Sequence, residues 1–224
     1  MAPVLGHLYL ITDQRAAGRD IVGVVQAALA AVPAGTFTVQ LRAKELSAGA
    51  LLHLARRLRA ITIAHESRLL VNDRLDVALA AGADGVHLPE SGLDIAAVRA
   101  ITRPSFLIGV SRHGPAGAAA AARAGADLIV CGPVWSTPSK PETAPLGLDA
   151  LAAAARAVAE SQDPDRPARL FALGGVDTPE RAAAARAAGA FGIGSIRAFC
   201  AATDPGAAAA AMHAAVTAAI PHAT

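Results

Sequence analysis

The chain keeps two lysines, Lys44 and Lys140, and a single asparagine, Asn72, while arginine supplies the rest of its positive charge. Lys140 stands in CGPVWSTPSKPETAPLG, beside Thr137 and Ser139 and just after an apolar run. A cation flanked by hydroxyls has the donors to hold a diphosphate. Gln40, Arg42 and Lys44 are spaced by two in VQLRAK, so in an extended segment they point the same way and add cationic and amide donors. Asn72 is followed by Asp73, whose carboxylate can coordinate a magnesium ion that also touches a diphosphate, or can cap a following helix. Arg42 and Lys140 also admit a plainer reading as solvated charges, and His87 and His113 as packed or capping histidines.

These residues fall at comparable places in a repeated unit. Short β-prone runs recur at 7–12, 36–42, 68–71, 85–88, 106–110, 127–131, 169–173 and 191–196. Between them lie Ala/Leu/Arg segments of helical period, among them 48–61, 115–124, 148–159 and 179–188, several of which end in glycine. Strands too apolar to have a wet face, alternating with helices, predict a parallel sheet covered by helices. The count of eight favours a single (β/α)8 TIM barrel, residues 1–224 as one domain, over an open doubly wound sheet. In such a barrel chemistry belongs where each strand ends. Gln40, Arg42 and Lys44 end the second strand, Asn72-Asp73 the third, His87 the fourth and Ser111-Arg112-His113 the fifth. The lysine-bearing stretch follows the sixth, Gly174-Gly175 the seventh, and Gly194 to Arg197 the eighth. The glycines after strands seven and eight let backbone N–H groups approach a second phosphate.

Composition narrows the partners. At 54% hydrophobic and 17% charged the chain is globular. A net charge of +2 with 3% aromatics speaks against nucleic acid. No segment qualifies as a membrane span, and MAPVLGHLYLITD has no signal-peptide pattern, so a cytoplasmic enzyme of small phosphorylated substrates is expected. Cys131 and Cys200 have no metal or redox spacing and read as buried thiols, while a homo-oligomer is left open.

In order along nearly the whole chain, YLITD, VQLRAK, LVNDRLDVALAAGADGVHL, GVSRH, CGPVWSTPSKP and ALGGV resemble the thiamine phosphate synthase and thiazole tautomerase family. The resemblance implies a (β/α)8 barrel that joins hydroxymethylpyrimidine diphosphate to a thiazole phosphate and releases diphosphate. It implies that Gln40, Arg42, Lys44, Asn72, Ser111, Thr137, Ser139 and Lys140 hold the pyrimidine diphosphate and Asp73 a magnesium ion; His87 is expected among the substrate-binding residues, and Lys140, Ser111 and His113 as catalytic. Gly175 and the backbone of Ile196 and Arg197 would hold the thiazole phosphate. Two positions depart from the family pattern. Gly92 stands where the synthases carry a second magnesium-binding aspartate, so that Glu90 or Asp94 would have to replace it, and magnesium alone is expected to bind weakly. Arg197 replaces a serine. The Leu-Pro pair after His87 is more like the tautomerase branch, in which the histidine matching His113 is the acid/base group. A transferase, an isomerase and a non-catalytic barrel that binds thiamine precursors are thus the three readings.

Overall fold

The computed structural model describes residues 5–139, 141–161 and 163–219; Lys140 lies outside them. Strands β1 (Leu8–Ile11), β2 (Phe37–Leu41), β3 (Arg68–Asn72), β4 (Gly85–Leu88), β5 (Leu107–Arg112), β6 (Leu128–Cys131), β7 (Arg169–Ala172) and β8 (Gly192–Ser195) pair in chain order. All eight pairings are parallel, and β8 returns to β1, which closes the barrel. Outside it lie α1 (Gln14–Ala17), α2 (Ile21–Ala30), α3 (Ala48–Ala64), α4 (Leu75–Ala80) and α5 (Ile95–Ile101). They are followed by α6 (Pro115–Arg123), α7 (Gly147–Ser161), α8 (Pro179–Ala187), α9 (Arg197–Cys200) and α10 (Pro205–Ala218). This is the (β/α)8 architecture expected from the alternation.

Side chains alternate between two cores, as strand geometry requires. On β1, Leu8 and Leu10 face the helices, whereas Tyr9 and Ile11 fill the barrel interior with Leu70, Leu107, Leu128, Val130 and Phe171. The same parity and register carry the interior upward into polar residues: Gln40 lies level with Ile11 and Leu70, Asn72 with His87, and Ser111 with Val130. Each strand therefore delivers its last inward residue to one rim. β5 runs two residues beyond the expected end because its ladder with β6 continues through Ser111 and Arg112.

Arginine holds the opposite end of the barrel. The Asp84 carboxylate accepts from Arg59 at 2.7 Å, Arg68 at 3.3 Å and the Leu69 N–H at 2.8 Å. Asp127 is held in the same manner by Arg99, Arg166 and the Ile108 N–H. A planar guanidinium fork suits this bridging of carboxylate and backbone, which explains the preference for arginine there. Both cysteines are buried and unbonded to each other, and burial pushes each thiol up to about 11.

Candidate active site

A cavity of about 520 Å³ opens at the C-terminal end of the strands. Gln40, Arg42, Lys44, Asn72, Asp73, His87, Ser111, His113, Thr137, Ser139, Gly175, Ile196 and Arg197 all line it, whereas Gly92, Asp94 and Gly194, also noted in the sequence, do not.

Arg42 is an anchored charge. Its Nη1 donates to Asp13 Oδ2 at 3.0 Å, and its backbone is tied to the Thr12 hydroxyl by a 2.8 Å bond from its N–H. The other Asp13 oxygen caps α1 by accepting from Arg15 and Ala16, so one carboxylate fixes both the helix and the guanidinium. Lys44 is exposed, and Lys44, Arg112 and Arg197 line the cavity without a carboxylate partner among the described residues. Arg112 is an addition to the expected set: it follows the last inward residue of β5, and its basic side chain was the available signal.

Asp73 is set by its backbone. Its φ of 64° is left-handed, a conformation that aspartate tolerates better than most residues. Its N–H donates to the His87 carbonyl at 2.8 Å. The N-terminus of α4 has no side-chain cap, so Asp73 does not play the capping role that the sequence left open. Its carboxylate has no hydrogen bond or ion pair among the described residues and is available to a cation. The other carboxylates separate clearly. Glu90 lines the cavity, whereas Asp94 caps α5 through the Ala96 N–H at 3.2 Å and does not line it. An aspartate side chain at Gly92 would collide with its own loop, since a Cβ there would lie 2.8 Å from Pro89 Cδ. No group of three or more metal-ligating side chains occurs among the described residues. The residues present therefore fit a magnesium ion only if a bound anion were to supply further ligands, with Asp73 as the protein's carboxylate.

His87 is buried, with both ring nitrogens engaged: Nδ1 lies 2.9 Å from the Tyr9 hydroxyl and Nε2 2.9 Å from Ser111 Oγ. Burial, assisted by the positive charge of Arg112, lowers its pKa to about 3, so the ring is neutral. Gly109 makes room for it; a Cβ there would stand 2.7 Å from Nδ1. His113 is exposed at the rim, where its Nδ1 donates to the Gly132 carbonyl and its Nε2 lies 3.4 Å from Glu90 Oε2.

Across the cavity the loop after β6 is fastened to the loop after β7 by Val134 N–H to Leu173 O at 2.8 Å and Trp135 N–H to Gly174 O at 3.0 Å. Gly174 and Gly175 have φ of 90° and 69°, and Cβ atoms on them would lie 2.4 Å from Pro133 Cβ and 2.7 Å from Trp135 Cβ. Only glycine fits either position, on grounds of both backbone and space. Arg181 stacks over Trp135 at 5.5 Å and donates to the Gly175 carbonyl at 2.8 Å, which holds this glycine loop from behind.

Residues 8–199 match the family described as thiamine monophosphate synthase. The chain belongs to that family. A putative thiamine-phosphate synthase of Geobacter sulfurreducens is 50% identical over 210 residues, which is 92% of this chain and 92% of the relative. A thiamine-phosphate synthase of Roseiflexus castenholzii is 41% identical, over 91% of this chain and 85% of its own length. Among solved structures, a thiamine phosphate pyrophosphorylase from Pyrococcus furiosus superposes with a TM-score of 0.82 at 29% identity, over 98% of both chains. Arg197 lines the cavity, whereas Gly92 does not. No helix among the described residues is long and apolar enough to cross a membrane.

Proposed function

We propose that this protein is a thiamine-phosphate synthase, which condenses hydroxymethylpyrimidine diphosphate with thiazole phosphate and releases diphosphate. The observation that carries this reading is the convergence of Gln40, Arg42, Lys44, Asn72, Asp73 and Ser111 with the Gly174-Gly175 loop on one cavity. The side chains supply donors for a diphosphate and an amide pair for a heterocycle. The glycine loop supplies an approachable backbone suited to a second phosphate.

In the reaction the bond between the pyrimidine methylene carbon and the diphosphate oxygen breaks, and its electron pair leaves with the diphosphate. The thiazole nitrogen lone pair then forms the new C–N bond. Negative charge grows on the leaving oxygen, so groups fixed in advance around it lower the barrier. Arg42, braced by Asp13, serves this role with Lys44, Thr137 and Ser139, and with Lys140, which follows Ser139 in the chain. Gln40 and Asn72 orient the pyrimidine, and Ser111 donates to the same substrate. Gly175, Ile196 and Arg197 receive the thiazole phosphate, and the Arg197 guanidinium strengthens that site relative to a serine. Magnesium, when bound, neutralises diphosphate charge. Asp73 would be its protein ligand, which would make metal binding dependent on the substrate.

A second reading rests on His113. With Nδ1 committed to the Gly132 carbonyl and Nε2 facing Glu90, the ring and carboxylate form an exposed acid/base pair suited to moving a proton on a thiazole carboxylate phosphate. Both activities are measured on His113→Ala. The synthase reading expects condensation to survive with a small loss. The isomerase reading expects a loss of 10²- to 10⁴-fold in isomerisation. Equal collapse of both activities would remove this division of roles.

A further inference from the structure

The interior of the barrel contains a polar chain that begins where no substrate reaches. Tyr9 is on β1, fully buried among Leu70, Val130 and Phe171, and its hydroxyl lies 2.9 Å from His87 Nδ1. From the opposite ring nitrogen, His87 reaches Ser111 Oγ at 2.9 Å, and Ser111 lines the cavity. We infer that Tyr9 fixes the direction of every proton in this chain, so that the Ser111 hydroxyl is obliged to donate into the cavity to an acceptor atom of the bound substrate.

The direction of each bond follows from where the protons can go. Tyr9 and His87 are both buried and form no ion pair among the described residues, so a phenolate or an imidazolium would be an unpaired buried charge, and the phenol and the neutral imidazole each carry one transferable proton. Among the described residues the Tyr9 hydroxyl has no hydrogen-bond partner other than His87 Nδ1. If Nδ1 carried the imidazole proton, it would donate to the phenol oxygen and leave the phenol proton without an acceptor in an apolar interior, which is strongly disfavoured. The phenol therefore donates, Nδ1 accepts, and the imidazole proton resides on Nε2. Nε2–H then donates to Ser111 Oγ, and the hydroxyl proton of Ser111 has to point elsewhere. The elsewhere is the cavity. With the opposite tautomer, Ser111 would donate to Nε2 and present only lone pairs to the substrate, so Tyr9 acts as a positioning residue through two intervening bonds.

This inference rests on the reading of the cavity as the synthase site, and two measurements keep them apart. The first is the ¹⁵N spectrum of the [¹⁵N]histidine-labelled full chain, with the His87 signals assigned by their loss in His87→Gln. A protonated Nε2 and a bare Nδ1 are expected in the parent, and a mixture of both tautomers in Tyr9→Phe. The second is a double-mutant cycle on condensation turnover. Tyr9→Phe and Ser111→Ala should each lower kcat about tenfold, and the double variant should lose no more than the worse single variant, because both remove the same donated hydrogen bond. A protonated Nδ1 in the parent, or losses that multiply in the double variant, would overturn the relay. A parent that shows the expected tautomer but no condensation would overturn the synthase reading and leave the proton arrangement intact.

Discussion

Gln40 donates through its side-chain N–H to Asn72 Oδ1 at 2.8 Å, while its own Oε1 is buried without a donor among the described residues. A buried acceptor left in this state costs about 1–3 kcal/mol, which a substrate N–H would recover on binding. An amino group on the pyrimidine is the matching donor. Gln40→Ala should therefore raise KM for the pyrimidine diphosphate about 10- to 100-fold and leave KM for the thiazole phosphate within about twofold. Steady-state kinetics with each substrate varied in turn checks this, and equal effects on both constants would count against it.

The magnesium requirement follows from the carboxylates. Asp94 is committed to capping α5 and Gly92 contributes no side chain, so Asp73 with water is a poor magnesium site. Calorimetry should detect little heat when magnesium is titrated into the free protein and clear binding once diphosphate is present. Tight binding to the free protein would shift attention to Glu90.

Stability should respond to pH through His87. Its pKa is about 3 in the fold and 6.5 as the ordinary value, so between these the unfolded chain binds a proton that the native chain refuses. Stability from this group is therefore complete above pH 6.5 and falls as pH drops, by up to about 1.4 kcal/mol per pH unit. Urea unfolding at several pH values should show a shallower acid-side dependence in His87→Gln than in the parent. Identical slopes would mean that His87 is charged in the fold.

The loop after β7 should be intolerant of any side chain. With φ of 90° and a Cβ that would lie 2.4 Å from Pro133 Cβ, Gly174→Ala should destabilise the fold on the order of 2–4 kcal/mol, read from the urea midpoint. The same variant should weaken inorganic phosphate binding. A neutral Gly174→Ala would contradict the fixed loop.

What the sequence conveyed and what it withheld follow a pattern. The strand positions were legible because short β-prone runs, β6 among them apolar throughout, alternate with helical segments several of which end in glycine, and the rim residues were legible because they stand at the ends of those runs. Spacing by two placed Gln40 and Arg42 on one face correctly, since parity is a property of the strand itself. The partnerships were not legible. Nothing near Arg42 in the chain points to Asp13, 29 residues away, and nothing near His87 points to Tyr9, 78 residues away, because barrel closure brings such residues together across register. Asp73 is the intermediate case. Its type suggested either metal binding or capping, and only its left-handed backbone and the uncapped α4 decide against the cap.

Lys140, whose rarity and setting mark it for the leaving diphosphate, is tested by Lys140→Ala. Turnover should fall on the order of a hundredfold, with a smaller change in ground-state binding. Intact turnover would make it a solvated loop charge.

Condensation is tested directly on the purified protein, incubated with hydroxymethylpyrimidine diphosphate and thiazole phosphate, with and without magnesium, with the products read by mass. Thiamine phosphate and diphosphate are expected in equal amounts, formed only when both substrates are present and promoted by magnesium. Absence of thiamine phosphate under all these conditions, while the thiazole phosphate still binds, would contradict the synthase reading.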